Sequence, residues 1–190
     1  MSLSSGLLIV GAGGFGRSVA DAVMSGSIHA LAGFVDDRGP ELGLVLGQPV
    51  LGRIADLASL REQYSLLIVA IGDNTRRREL CQRARAFGFS LATVVHPRAI
   101  VSTHAKLGAG TSIMVGAVIG TEANIGEGVI INAAAVVDHH AQVGDFAHLG
   151  VGACMAGGAA LGACAWLREG AVLRAGQVMA KDGTLASSVR

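Results

Sequence analysis

With 190 residues, the chain has room for one domain or two small ones. Its 51% hydrophobic and 15% charged content, with a mean hydropathy of +0.53, excludes a disordered chain, which needs low hydrophobicity and high net charge. A formal charge of +1 offers no electrostatic footprint for nucleic acid or an anionic membrane surface, and no apolar run reaches the ~18–20 residues of a spanning helix.

Only 4% of residues are aromatic and 28 are glycine, which points to a core of stacked small and branched side chains. The three cysteines, Cys81, Cys154 and Cys164, lack metal-ligand spacing and fit reduced thiols. No signal peptide is read at the start, because residues 7–10 run straight into Gly11-Ala12-Gly13-Gly14. A cytoplasmic location is therefore expected.

Residues 7–10 read as a buried strand, followed by a glycine turn and a helix over 15–24 that stops near Gly26. A second strand is expected at 33–37, a helix at 54–63 and a third strand at 66–71. Beyond Gly72-Asp73-Asn74 the pattern predicts a helix over 75–87, which Asn74 can cap. A fourth strand, 92–95, ends at His96-Pro97. This alternation implies a small Rossmann-like α/β domain with a parallel sheet over residues 1–98.

Over residues 99–190 the period becomes six. Aliphatic residues stand at Val101, Leu107, Ile113, Ile119, Ile125, Ile131, Val137, Val143, Leu149, Met155, Leu161, Leu167, Leu173 and Met179. Four residues after most of them comes a small or β-branched residue such as Ala105, Thr111, Ala117 or Val129. Neither a helix nor an ordinary strand has that period, which is the hexapeptide signature of a parallel β-helix. With three faces per turn, residues 18 apart stack at the ~4.8 Å strand spacing. Such a short coil leaves broad faces and open ends, so a homo-oligomer is expected.

Gly11-Ala12-Gly13-Gly14-Phe15-Gly16 matches G-x-G-x-x-G between a strand and a helix, and Asp36 follows Gly16 by 20 residues, where a ribose-binding acid belongs. Taken literally this is an NAD fingerprint, but about 95 residues supply only about four strands, too few for a complete two-half dinucleotide fold. Another nucleotide-bearing ligand fits better, and a purely structural glycine turn is the bland alternative. Glycines here let backbone N–H groups at a helix start approach a pyrophosphate.

Among the histidines, His29 reads as inert and His96, before Pro97, as structural. His139, His140 and His148 fall off the inward hexad positions, and His139 and His140 can point outward into a groove. A zinc site like that of the γ-class carbonic anhydrases needs a His pair five residues apart. The spacing here lacks it, so no metal is expected.

Several segments together resemble a known family over nearly the whole chain. They are Ile9-Val10-Gly11-Ala12-Gly13-Gly14-Phe15-Gly16, Phe34-Val35-Asp36-Asp37, Val69-Ala70-Ile71-Gly72-Asp73-Asn74, Val95-His96-Pro97, Ile130-Ile131-Asn132, and Val137-Asp138-His139-His140 leading to Val143-Gly144-Asp145-Phe146-Ala147-His148-Leu149. The family is that of the sialic-acid O-acetyltransferases and nucleotide-amino-sugar N-acetyltransferases, including bacillosamine- and perosamine-type enzymes. The resemblance implies a left-handed β-helix, a homotrimer with active sites between subunits, and acetyl-CoA as co-substrate.

It further implies transfer to the amine of a UDP- or GDP-linked 4-amino sugar for surface glycan or glycoprotein biosynthesis. Gly13, Gly14, Asp36 and Asp37 match the family's nucleotide-sugar contacts. His139 matches its catalytic base, Asn132 a polar residue near that base, and His148 and Gly157 the acetyl-CoA groove. O-acetylation of sialic acid or a related sugar, or a catalytically degenerate nucleotide-sugar-binding protein, stand as the alternatives.

Two departures matter. The family usually places Glu or Asp after the catalytic His, where this chain has His140. Eighteen residues back from His140 stands Glu122, so Glu122 or the adjacent Asp138 is expected to replace part of that acid. Residues 184–190 also lack the family's Gly-Val-Pro-Ala-like tail, which predicts weaker acetyl-CoA binding or its completion by a neighbouring subunit.

Overall fold

The computed structural model describes residues 4–26 and 28–187; the last three residues of the tail discussed above lie outside that range. Contacts divide the chain into two units, Met1–Val94 and Val95–Arg190. The division falls before the 98/99 boundary read from the sequence, because Val95 already packs on the core of the second unit and the His96 N–H bonds to the Ile113 carbonyl at 2.8 Å.

The first unit is a six-stranded sheet around β1 (Ser4–Val10). Its neighbours β2 (Leu31–Val35) and β5 (Tyr64–Val69) both run parallel to it. Leu7, Leu8, Ile9 and Val10 are fully buried, as a continuous aliphatic run in a parallel sheet covered on both faces must be. Helix α1 (Gly14–Ser25) buries Val19, Ala20 and Val23, and α3 (Asn74–Ala86) buries Leu80, Cys81 and Ala84. Between them, the expected helix at 54–63 is a 3-10 turn, Ile54–Asp56, followed by one turn of α-helix, α2 (Leu57–Leu60).

Two strands escape the sequence pattern. A hairpin of β3 (Leu44–Val45) and β4 (Gln48–Gly52) extends the sheet beyond β2. Its two-residue turn puts both Leu46 and Gly47 at positive φ, and Pro49 sits within the strand, so neither usual hairpin signal is present. The expected strand at 92–95 is split. Ser90–Leu91 (β6) pairs with β5, whereas Val94–Val95 begins the coil. At the start of α3, Asp73 is the cap: its Oδ1 accepts the Arg76 N–H at 2.7 Å, and Asn74 is the first helical residue.

The second unit is a three-sided left-handed β-helix of two-residue strands spaced six apart, from Val94–Val95 to Thr184–Leu185. Residues 18 apart pair in register, as in Ile119 with Val137 and Ile131 with Leu149. Every inward aliphatic from Ile113 to Leu173 is at most 4% exposed, and the corner alanines from Ala117 to Ala171 are buried beside them. Small side chains are required there because the chain turns about 120° within four residues while the interior stays filled.

Each turn is made by a left-handed residue at every sixth position from Gly110 to Asp182. Glycine fills most of these positions; Glu122, Ala134, His140, Phe146, Cys164 and Asp182 do not. Three outward columns differ in chemistry. One face carries Ile100, Val118, Val136, Cys154 and Val172, and is apolar. A second carries Lys106, Asn124, Gln142, Ala160 and Val178, and a third carries Ser112, Ile130, His148, Trp166 and Thr184.

Candidate active site

In the first unit, β1, β2 and β5 end around a crevice of about 370 Å³. Its floor depends on glycine. A Cβ on Gly16 would lie 1.9 Å from the Gly11 carbonyl oxygen, so only glycine lets α1 approach the strand end this closely. Gly13 and Gly14 face open space instead. Gly13 caps α1 without a side-chain acceptor, and the first turn holds no acidic residue. The helix start therefore presents uncapped N–H groups to the crevice, a ready site for an anion.

The two aspartates have separate jobs. Asp36 is buried, and its carboxylate accepts from the Ala12 N–H at 2.8 Å, the Arg38 N–H at 3.0 Å, and Arg38 Nε and Nη2 at 2.9 and 3.2 Å. Those bonds take up the carboxylate's roughly four acceptor sites. The Arg38 guanidinium, aided by the backbone N–H groups and opposed by burial, holds its pKa at about 2. Asp36 thus ties the glycine loop to the end of β2, while Asp37 is exposed and commits one oxygen to the Ile54 N–H at 3.3 Å.

Three arginines went unread in the sequence. Arg38 and Arg76 line the crevice beside Gly11, Gly13 and Gly14. Arg77 is 1% exposed, and its guanidinium donates to the carbonyls of Ile71 and Gly72 and to Asn74 Oδ1, which fixes the loop after β5. Basic residues following strand-end loops were the available signal.

In the second unit, Asp138, His139 and His140 form the corner between the apolar and the Lys106-bearing faces. The His139 N–H donates to Asp138 Oδ1 at 2.7 Å. The two imidazoles meet edge to face, with Nδ1 to Nδ1 at 3.0 Å. One turn of the coil away, Glu122 Oε2 lies 2.8 Å from His140 Nε2. Glu122 thus makes the contact expected of it, whereas Asp138 Oδ2 stands 3.8 Å from His139 Nε2. Gly157 lies beneath the ring: a Cβ there would be 2.5 Å from His139 Cε1. Beside this corner a groove of about 440 Å³ is lined by Glu122, His140, Lys106, Asn124, Gln142 and His104.

Asn132 and His148 lie elsewhere on the coil. Asn132 occupies the other corner of the apolar face, where its Oδ1 accepts the Ala133 N–H at 2.8 Å. His148 is 6% exposed on the third face, stacked on Trp166 at 4.8 Å, with the Arg168 guanidinium 4.2 Å from the indole. Within one chain, neither shares the His139 corner.

Residues 6–84 match the sequence profile of the PglD N-terminal domain. Over its whole length the chain superposes on PerB from Caulobacter crescentus, solved with CoA and GDP-perosamine, with a TM-score of 0.81, 36% identity and 93% of that chain covered. The chain belongs to the nucleotide-amino-sugar N-acetyltransferase family.

Other members of the family agree. The acetyltransferase domain of PglB from Neisseria gonorrhoeae, solved with acetyl coenzyme A, has a TM-score of 0.79 and 32% identity, covering 95% of this chain and 98% of that one. UDP-N-acetylbacillosamine N-acetyltransferase from Bacillus subtilis is 34% identical over 112 residues, a match spanning 56% of this chain and 50% of that protein. In this family member, no helix among the described residues is long and apolar enough to cross a membrane.

Proposed function

We propose that the chain is an acetyl-CoA-dependent enzyme that acetylates the amine of a UDP- or GDP-linked 4-amino sugar, working in the cytoplasm as a homotrimer. The observation that carries this reading is His139, an exposed imidazole seated over Gly157 with its Nδ1 edge engaged by His140. A neutral imidazole at such a place can serve as a general base.

The sugar amine attacks the thioester carbonyl once it is unprotonated. As the C–N bond forms, His139 Nε2 takes a proton from the nitrogen. The C–S bond then breaks, and the CoA sulfur leaves and recovers that proton. The products are an acetamido sugar and free CoA thiol. In this reading Gly13, Gly14, Arg38, Arg76 and Asp37 hold the nucleotide, the phosphates lying at the uncapped start of α1.

The coil's three faces support this assembly. The apolar column is half-exposed at its ends, Ile100 at 68% and Val172 at 54%, and Val115 and Val151 extend it onto the adjoining corner. Turning this face toward a threefold axis buries it. Cyclic symmetry then sets the Asn132 corner of one copy beside the His139 corner of the next. Asn132 of the partner subunit accordingly completes the site, and His148 and Gly157 border the acetyl-CoA groove between copies.

The test is thiol release from acetyl-CoA with GDP- and UDP-linked 4-amino sugars, against free sialic acid. Release with one of the nucleotide sugars is the expected result. Equal release with free sialic acid would favour O-acetylation, and nucleotide binding without any release would favour a degenerate binding protein.

A further inference from the structure

The two histidines at the coil corner raise a protonation question. His139 can act as a base through Nε2 only if that nitrogen carries no proton. A neutral imidazole holds one proton on either nitrogen, and in water both forms are populated. Something must select the form that leaves Nε2 bare.

We propose that Glu122 and His140 are positioning residues that lock His139 into the Nδ1–H form through a carboxylate–imidazole–imidazole relay; the inference rests on the acetyl-transfer reading above and names what prepares its base. An ionised Glu122 accepts hydrogen bonds and donates none. At 2.8 Å from its Oε2, His140 Nε2 must carry the proton. Neutral His140 then has only a lone pair on Nδ1. His139 Nδ1, 3.0 Å away, must be the donor, which leaves His139 Nε2 unprotonated.

Asp138 cannot do this work. Its Oδ1 accepts the His139 backbone N–H at 2.7 Å, and its Oδ2 stands 3.8 Å from Nε2, the nitrogen that must stay bare. When Nε2 gains a proton, the same chain of bonds remains intact and faces the new imidazolium with the Glu122 charge.

The backbone supports a dedicated arrangement. Glu122 and His140 both sit at left-handed corner positions, φ +59° and +58°, which disfavour L side chains. The same column continues as Gly158 and Gly176 on the other side of His140. Side chains thus fill the corner only on the side of His139 where the relay runs. On the other side, Gly157 leaves room for the ring.

Two measurements test the relay. The first reads nitrogen-15 shifts of the His139 ring in the substrate-free protein near neutral pH. The Nδ1–H form is expected in the wild type and a mixture of both forms in Glu122→Gln; an unchanged tautomer in the variant, or an Nε2–H form in the wild type, overturns the proposal.

The second is kinetic. Glu122→Gln should lower kcat about 10- to 100-fold, as loss of an orienting partner does, with KM for both substrates within about twofold. His140→Glu sets a carboxylate directly against His139 Nδ1, so the factor lost on adding Glu122→Gln should shrink at least about fivefold in that background. A loss of the same factor in both backgrounds, or one carried by KM, overturns the relay. Wild-type turnover that His139→Ala abolishes, beside an inert Glu122→Gln, removes the relay and leaves acetyl transfer standing. Absent wild-type turnover removes the acetyl-transfer reading itself, while the nitrogen-15 result still decides the tautomer.

Discussion

The two units use glycine for opposite ends. In the first, Gly11 and Gly16 let a helix press against a strand end, and Gly13 and Gly14 keep the mouth of the crevice empty for a ligand. In the second, glycine serves the turn itself, at left-handed corners that recur every six residues. Loss of Gly16 would damage one irreplaceable contact. The coil, by contrast, tolerates other residues at a corner because neighbouring turns hold it in shape, each such residue costing about 1–2 kcal/mol. That tolerance makes room for chemistry: His140 and Glu122 stand at corner positions where glycine is the default, and they stand beside His139.

The sharpest way to break this comparison is to remove the base. His139→Ala should lower kcat by about 10²–10⁴ while nucleotide-sugar affinity, measured calorimetrically, stays within about twofold, because the nucleotide is assigned to the other unit. A parallel loss of nucleotide affinity would contradict that division of labour.

Next come two glycine-to-alanine changes that look alike on paper. Gly157→Ala places a Cβ 2.5 Å from His139 Cε1, and Gly157 is not at positive φ, so the ring must move and the coil need not. A displacement near 1 Å predicts about a 100-fold fall in kcat with an unchanged melting temperature. Gly16→Ala instead drives a Cβ into a backbone carbonyl, which no rotamer relieves. It should cost about 1–3 kcal/mol of stability and weaken nucleotide binding. Equal behaviour of the two variants would show that the distinction between the units is wrong.

How much of this was legible in the sequence varies with the kind of regularity involved. The six-residue period exposes the coil outright, since inward residues, corners and stacking partners all follow from counting. The Glu122–His140 contact follows from the same count, being one full turn of 18 residues. Asn132 lies seven residues before His139, so the count puts it on the preceding corner; the threefold partner that would reunite them leaves no mark in a single chain. In the first unit nothing repeats. The β3–β4 hairpin hides behind Leu46 at positive φ and Pro49 within a strand. Asp36 reads as a ligand-binding acid, yet its oxygens are taken by Ala12 and Arg38, a pairing that only the folded loop creates.

Mixing tests the proposed inter-subunit site with a smaller but sharper signal. His139→Ala and Asn132→Ala should each be inactive alone. Coexpressed, they should regain about one quarter of wild-type activity, because about one junction in four then joins an intact His139 to an intact Asn132. No recovery in mixed trimers would place both residues in one chain's site or remove Asn132 from it.

The smallest effect separates the units by pH. Asp36 has a folded-state pKa of about 2 against an ordinary 3.8, held down first by Arg38. A carboxyl whose pKa is lowered on folding adds stability that is fully present above its unfolded pKa and disappears as pH falls through the folded value. Its contribution, about 1–2 kcal/mol after allowing for the exposed Arg38 partner, should therefore be lost between about pH 4 and pH 2. The chain has one Tyr and one Trp, Tyr64 in β5 and Trp166 in the coil, so the two units report separately. Urea unfolding followed through Tyr64 should weaken across that window, and Asp36→Asn should remove Asp36's share of the change. The Trp166 transition should keep the same acid response in both proteins, since the Asp36 carboxylate is bonded to Ala12 of the glycine loop and to Arg38, both in the first unit. A Trp166 transition that moved with Asp36→Asn would mean that the crevice and the coil unfold as one body.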